Sequence, residues 1–144
     1  MSDPELDVSF PGVPDSAAAA RIAACRWAAS LGVSEGVLDA IALCVSEAAT
    51  NCVVHAFAEG AQGRIRLRGY TKDDTLHVCV IDDGHGMNPR LDSPGLGLGL
   101  PLISRMTRTV TVEPGDDGHG TCIHMCFDDV SRWDEPDRLA EGAA

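Results

Sequence analysis

The chain has 144 residues, 44% of them hydrophobic, which suffices for one modest core in a single domain. Its 11 Lys and Arg against 22 Asp and Glu give a formal net charge of −11, which opposes a phosphate backbone and argues against direct DNA or RNA binding. No run of about 18 uncharged apolar residues occurs, and the N-terminal MSDPELDVSF lacks the basic-then-apolar order of a secretory signal, so a cytoplasmic chain with no membrane span is expected.

Leu6, Val8 and Phe10 alternate before Pro11-Gly12-Val13-Pro14, the pattern of a short strand ending in a breaker. An Ala-rich run from Ala17 to Ser30 predicts a helix capped by Asp15 or Ser16 and stopped at Gly32. A second helix is predicted from Ser34 and Glu35 through about Phe57, because Val37, Leu38, Ile41, Val45, Ala48, Cys52 and Val53 recur at helical spacing. Glu47, Asn51 and His55 follow one another at steps of four on that helix and form one polar stripe beside its apolar face.

After a loop at Gly60 to Gly63, Arg64 to Arg68 alternates polar and apolar, Lys72-Asp73-Asp74 turns, and Leu76 to Ile81 returns as the second strand of a hairpin. Residues 83–99 are too rich in Gly, Pro, Asp and Ser for regular structure and read as a lid or binding loop. Leu100, Leu102, Ile103 and Met106 then permit a short helix with Pro101 in its first turn. A last hairpin pairs Thr109 to Glu113 with Thr121 to Phe127. Residues 128–144 are acidic and poor in large apolar groups, which predicts a flexible tail beyond a domain of residues 1–127.

Three segments carry chemistry. Val78 to Ile81 deliver Asp82 at a strand end, on the parity of Val78 and Val80, before the turn Asp83-Gly84-His85-Gly86. A carboxylate on the inward side needs donors, and a ligand amino group is one candidate. Gly95-Leu96-Gly97-Leu98-Gly99-Leu100 precedes a helix, where glycines let backbone N–H groups approach an anion. Asn51 offers a neutral oxygen to Mg²⁺, and Glu47, one turn earlier, can accept a hydroxyl proton. Taken singly, each has a plain alternative: Asp-Gly turns are common, glycines serve lids, and polar residues four apart often mark a solvated helix face.

Six cysteines, Cys25, Cys44, Cys52, Cys79, Cys122 and Cys126, contain no CxxC pair and lie mostly in apolar segments, as free thiols in a reducing compartment would. Cys122, His124 and Cys126 share a strand face. An extended strand alone spaces alternate residues too widely for compact tetrahedral binding, so no structural metal is expected.

Taken in order, Glu47 to Ala56, Asp82 to Gly86 and Gly95 to Leu100 resemble the N box and the two glycine boxes of the GHKL ATPase superfamily, most nearly the anti-sigma-factor serine kinases of the RsbW and SpoIIAB type. The resemblance spans roughly residues 6 to 127. It implies an α+β fold of the Bergerat type, a two-layer sandwich whose mixed, mostly antiparallel sheet carries helices on one face, with ATP and Mg²⁺ as cofactors.

By the same resemblance Asn51 coordinates Mg²⁺, Asp82 accepts the adenine amino group, and Gly84 and Gly86 let the base lie against the backbone. Gly95, Gly97, Gly99 and Leu100 form the phosphate loop, Thr121 supports Asp82, and Glu47 is the catalytic base of a serine/threonine kinase. The implied partners are a sigma factor and a STAS-domain anti-anti-sigma protein, and a homodimer is implied as well. Arg90 is the one Lys or Arg in the lid, and Leu96 stands where relatives often carry a polar or basic residue. That departure keeps a non-catalytic, nucleotide-gated binding module in view. A detached histidine-kinase ATPase domain ranks behind both, since the segments before the second helix contain no histidine.

Overall fold

The computed structural model describes residues 5–56, 63–84, 100–115, 118 and 120–128. In chain order these form β1 (Leu6–Pro11), α1 (Asp15–Ser30), α2 (Glu35–Asn51) with a π-helical turn at Cys52–Ala56, β2 (Arg64–Lys72), β3 (Thr75–Asp82), α3 (Leu100–Met106), β4 (Thr109–Pro114) and β5 (Thr121–Asp128). The tail residues 129–144, with Trp133, lie outside the described residues, as do Phe57 and the lid residues 85–99.

The five strands form one sheet in the order β1-β2-β3-β5-β4. Every described pairing is antiparallel, so the mixed sheet expected from the resemblance is not seen among the described residues. The connections explain this. Two helices between β1 and β2 return the chain for an antiparallel partner, and β2–β3 and β4–β5 are hairpins. The same-direction strands β3 and β4 are held apart by β5, which inserts between them.

Asp73 and Asp74 close the first hairpin with φ of 51° and 64°, the left-handed pair that a two-residue turn needs to match strand twist. Asp tolerates that region because its short side chain can bond locally.

Helix starts differ in how they are held. α2 opens at Ser34 and Glu35 as expected, and the Ser34 hydroxyl caps it by accepting from the Val37 N–H at 3.3 Å. Neither Asp15 nor Ser16 caps α1: Pro14 occupies the cap position, and the buried Ser16 hydroxyl instead donates to the Pro11 carbonyl at 2.5 Å, fastening the end of β1 to the helix. Gly32 ends α1 as expected, with φ +80° and its N–H on the Ala29 carbonyl. The predicted continuous helix through Phe57 is interrupted, since regular α-geometry stops at Asn51.

One face of the sheet receives the helices. Ile65, Leu67, Leu76, Val78, Val80, Ile123, Met125 and Phe127 point into this core against Ile41, Cys44, Val45 and Ala48 of α2 and Ala20, Ala24 and Ala28 of α1. Each fully buried Val, Leu or Ile side chain contributes roughly 1.5–3 kcal/mol. Trp27 of α1 lies over Gly69 of β2, where a Cβ would stand 2.9–3.0 Å from the indole ring. By length and composition Glu35–Val54 could cross a membrane, but half of that window is buried within the fold, where α2 is the central core helix.

Candidate functional site

At the end of β3, Asp82 is 1% exposed, while its neighbour Asp83 faces solvent. The two carboxylates do different work. Asp83 Oδ1 accepts from the Arg64 N–H at 2.7 Å and closes the end of the β2–β3 ladder. Asp82 points into the space between the sheet and the last turn of α2. Its Oδ1 accepts from the Gly84 N–H at 3.0 Å, and a second N–H comes from Thr121, its registered partner on β5.

The other oxygen of Asp82, Oδ2, faces the thiol of Cys52 at 3.9 Å. Burial, and then the adjacent Asp82 charge, push the Cys52 thiol far above its ordinary value, so it stays protonated and donates. Cys52 opens the π turn, and π turns inside helices occur often at functional sites. By changing the residues per turn, this one also breaks the regular step of four expected to carry the polar stripe from Asn51 to His55. The His55 side chain lies outside the described residues.

Burial raises the Asp82 carboxyl above the usual carboxylate range, and Asp83 adds to the rise. The N–H groups of Gly84 and Thr121 and the Cys52 thiol act against it without cancelling it. The ionised form is therefore under-stabilised where it stands. A ligand N–H arriving at this carboxylate would relieve that deficit, and a carboxylate has about four acceptor sites to offer.

Asn51, 5% exposed, precedes Cys52 on the same helix end, and Glu47 lies half-buried one turn earlier. Thr121 is 1% exposed and shares the inner face with Ile123 and Met125, as its parity predicts. The fold thus gathers Asp82, Gly84 and Thr121 directly, with Asn51 and Glu47 on the helix above. Leu100 opens α3 and packs against the core. Gly86, Gly95, Gly97 and Gly99 lie outside the described residues.

Two contributors have no assigned role in the sequence reading. One is Cys52, which enters there as part of an apolar helix face. The other is Gly120, with φ +73°: a Cβ there would overlap the Asp82 carbonyl oxygen and stand 3.1 Å from Oδ1. Its signal in the sequence is its place, the glycine immediately before Thr121 at the start of β5.

The sequence profile of the family described as histidine kinase-like ATPase domain matches residues 10–127. An anti-sigma F factor of Clostridium beijerinckii is 26% identical over 134 residues, covering 85% of this chain and 93% of its own. An anti-sigma F factor of Caldanaerobacter subterraneus is 29% identical over 131 residues, covering 83% and 90%. A Mycobacterium tuberculosis protein whose crystal structure contains RsbU and RsbW domains matches 87% of this chain with a TM-score of 0.69 at 20% identity. This chain spans 32% of that one, and at this identity the likeness concerns the fold alone.

Proposed function

The chain belongs to the histidine kinase-like ATPase domain family, and from that premise we propose that it is an ATP-dependent serine/threonine protein kinase acting as an anti-sigma factor. The observation that carries the nucleotide reading is Asp82: a carboxylate 1% exposed at a strand end, raised by burial, whose three donors, the Gly84 and Thr121 N–H groups and the Cys52 thiol, leave acceptor capacity for one more N–H. An adenine amino group supplies that donor. The names of the curated relatives, anti-sigma F factors, support the sigma-factor part of the reading.

The residues present suit Mg²⁺-ATP. Asn51 is a neutral oxygen donor held at the end of α2, the kind of ligand a hard cation accepts alongside phosphate oxygens and water. Bound there, Mg²⁺ would neutralise phosphate charge. Glu47, on the same side of the helix one turn earlier, takes the proton from a substrate serine or threonine hydroxyl as its oxygen attacks the γ-phosphorus and ADP leaves. Its position, half-buried and not sealed, leaves it accessible to a protein substrate.

The proposed substrate is a STAS-domain anti-anti-sigma protein. Its phosphorylation would free this chain to hold a sigma factor, so that two protein surfaces compete under the control of nucleotide. A cytoplasmic homodimer with no direct contact to nucleic acid or membrane completes the proposal.

The experiment is transfer of labelled γ-phosphate from ATP to STAS-domain proteins encoded near this chain, with wild type and Glu47→Gln. Transfer that falls by about 10²–10⁴-fold in Glu47→Gln, with ATP affinity within about threefold of wild type, is expected. ATP binding without transfer by the wild type would replace the kinase with the nucleotide-gated module, a reading that the single basic residue of the lid, Arg90, favours.

A further inference from the structure

The face of the sheet opposite the helices carries a second cluster. Registered pairing across the strands sets Tyr70 of β2 beside His77 of β3, and His77 beside Cys126 of β5. One step along β5 on the same face stands His124. His77 Nδ1 lies 2.9 Å from His124 Nε2 and 3.3 Å from Cys126 Sγ, and Cys126 Sγ lies 3.8 Å from His124 Nε2. All three side chains are half-buried.

We propose that His77, His124 and Cys126 form a binding site for a zinc-class transition-metal ion on the face of the sheet opposite the helices. Tetrahedral zinc, with bonds of about 2.0–2.1 Å to nitrogen and about 2.3 Å to sulfur, sets two nitrogens about 3.4 Å apart and a nitrogen about 3.6 Å from the sulfur. The two nitrogen–sulfur separations, 3.3 and 3.8 Å, bracket the second value, and the nitrogen–nitrogen separation of 2.9 Å falls short of the first. Small rotations of the side chains, chiefly parting the two rings by about half an ångström, convert the hydrogen-bonded cluster into three metal ligands.

Strand pairing overcomes the spacing problem that β5 has alone. Alternate residues on an extended strand stand too far apart to converge, but His77 enters from the neighbouring strand opposite Cys126 and closes the triangle. Cys122, the third member of the trio on one strand, is outside the group. The Tyr70 ring stacks on His77 with centroids 4.7 Å apart and planes within 3°, which fixes the orientation of that imidazole. Ordering ligands by neighbouring groups is what raises metal affinity in built sites.

The donor set selects the metal. Two imidazoles and a thiol suit zinc and its soft or borderline neighbours, and they suit magnesium poorly. On binding, the metal takes the place of the Cys126 thiol proton, which leaves to solvent, and water or an external ligand would complete the fourth coordination position. Because the cluster lies across the sheet from Asp82, it does not depend on the nucleotide reading.

The test is a Co²⁺ titration of the full chain, followed by displacement with Zn²⁺ and read as the thiolate-to-cobalt charge-transfer band. One Co²⁺ per chain is expected, displaced by one Zn²⁺. Cys126→Ser should abolish the band, and His77→Gln and His124→Gln should each weaken binding by at least about 100-fold. Cys25→Ser should leave the titration unchanged, and circular dichroism of each variant establishes that it folds. Absence of the band in the wild type would overturn the proposal. So would its persistence in Cys126→Ser, or full affinity in folded His77→Gln and His124→Gln.

Discussion

Gly120 is pressed against Asp82: at φ +73° it lies so close that a Cβ would overlap the Asp82 carbonyl oxygen and crowd its carboxylate. The position therefore demands glycine twice, for backbone conformation and for space. Gly120→Ala is expected to destabilise the fold by about 2–4 kcal/mol and to abolish nucleotide binding by shifting Asp82. Gly32→Ala is the control. With φ +80° and nothing within 4 Å, it should cost about 1 kcal/mol and leave nucleotide affinity alone. Denaturant melts and nucleotide titrations on both variants separate the two effects.

Asp82 sets stability and binding against each other. Folding raises its pKa above the reference value of 3.8. Its contribution therefore favours the fold fully below that reference value and is lost as pH rises through the raised value of the folded state. Removing the charge should then hold or raise stability at pH 7. Asp82→Asn is expected to melt within about 1 kcal/mol of wild type, or above it, while losing nucleotide binding. ATP affinity of the wild type should fall on acidification from a pH above the ordinary carboxylate range, as protonation takes away an acceptor. Thermal melts and calorimetry across pH 4 to 8 check both signs.

Gly69 and Trp27 make a purely structural pair. A methyl at Gly69 would meet three indole carbons at 2.9–3.0 Å, and both partners sit in the packing between α1 and β2. Gly69→Ala should lower stability by about 1–3 kcal/mol without altering nucleotide affinity. In the double variant Gly69→Ala with Trp27→Leu the loss should be less than the sum of the single losses, because the smaller leucine side chain lacks the indole carbons that the new methyl would meet. Urea melts of the four proteins close the cycle.

Period-two and period-3.6 patterning made the strands, the central helix and the inward parity of Asp82 and Thr121 legible in the sequence, because these follow from residues near one another along the chain. What depended on contacts between distant segments was not legible. The β5 insertion between β3 and β4, which leaves the sheet wholly antiparallel among the described residues, is a property of chain path. So is the meeting of His77 with Cys126, since no strand announces its register. Gly120 reads as one turn glycine among several until its distance to Asp82 is known. Pro14 at the start of α1 displaces the caps that Asp15 and Ser16 suggest, because the Ser16 hydroxyl finds the Pro11 carbonyl instead. The π turn after Asn51 carries no compositional mark, and it turns Cys52 toward Asp82.

The most direct measurement of the central claim is calorimetric titration of the wild-type chain and Asp82→Asn with ATP and with GTP, in the presence of Mg²⁺. A carboxylate that accepts from an exocyclic amino group should reject a base that presents a carbonyl oxygen at that position. ATP should bind wild type at least about 100-fold more tightly than GTP, and Asp82→Asn should lose ATP binding while still melting cooperatively. Equal affinity for the two nucleotides, or undiminished ATP binding in Asp82→Asn, would contradict the assignment of Asp82 as the group that reads adenine.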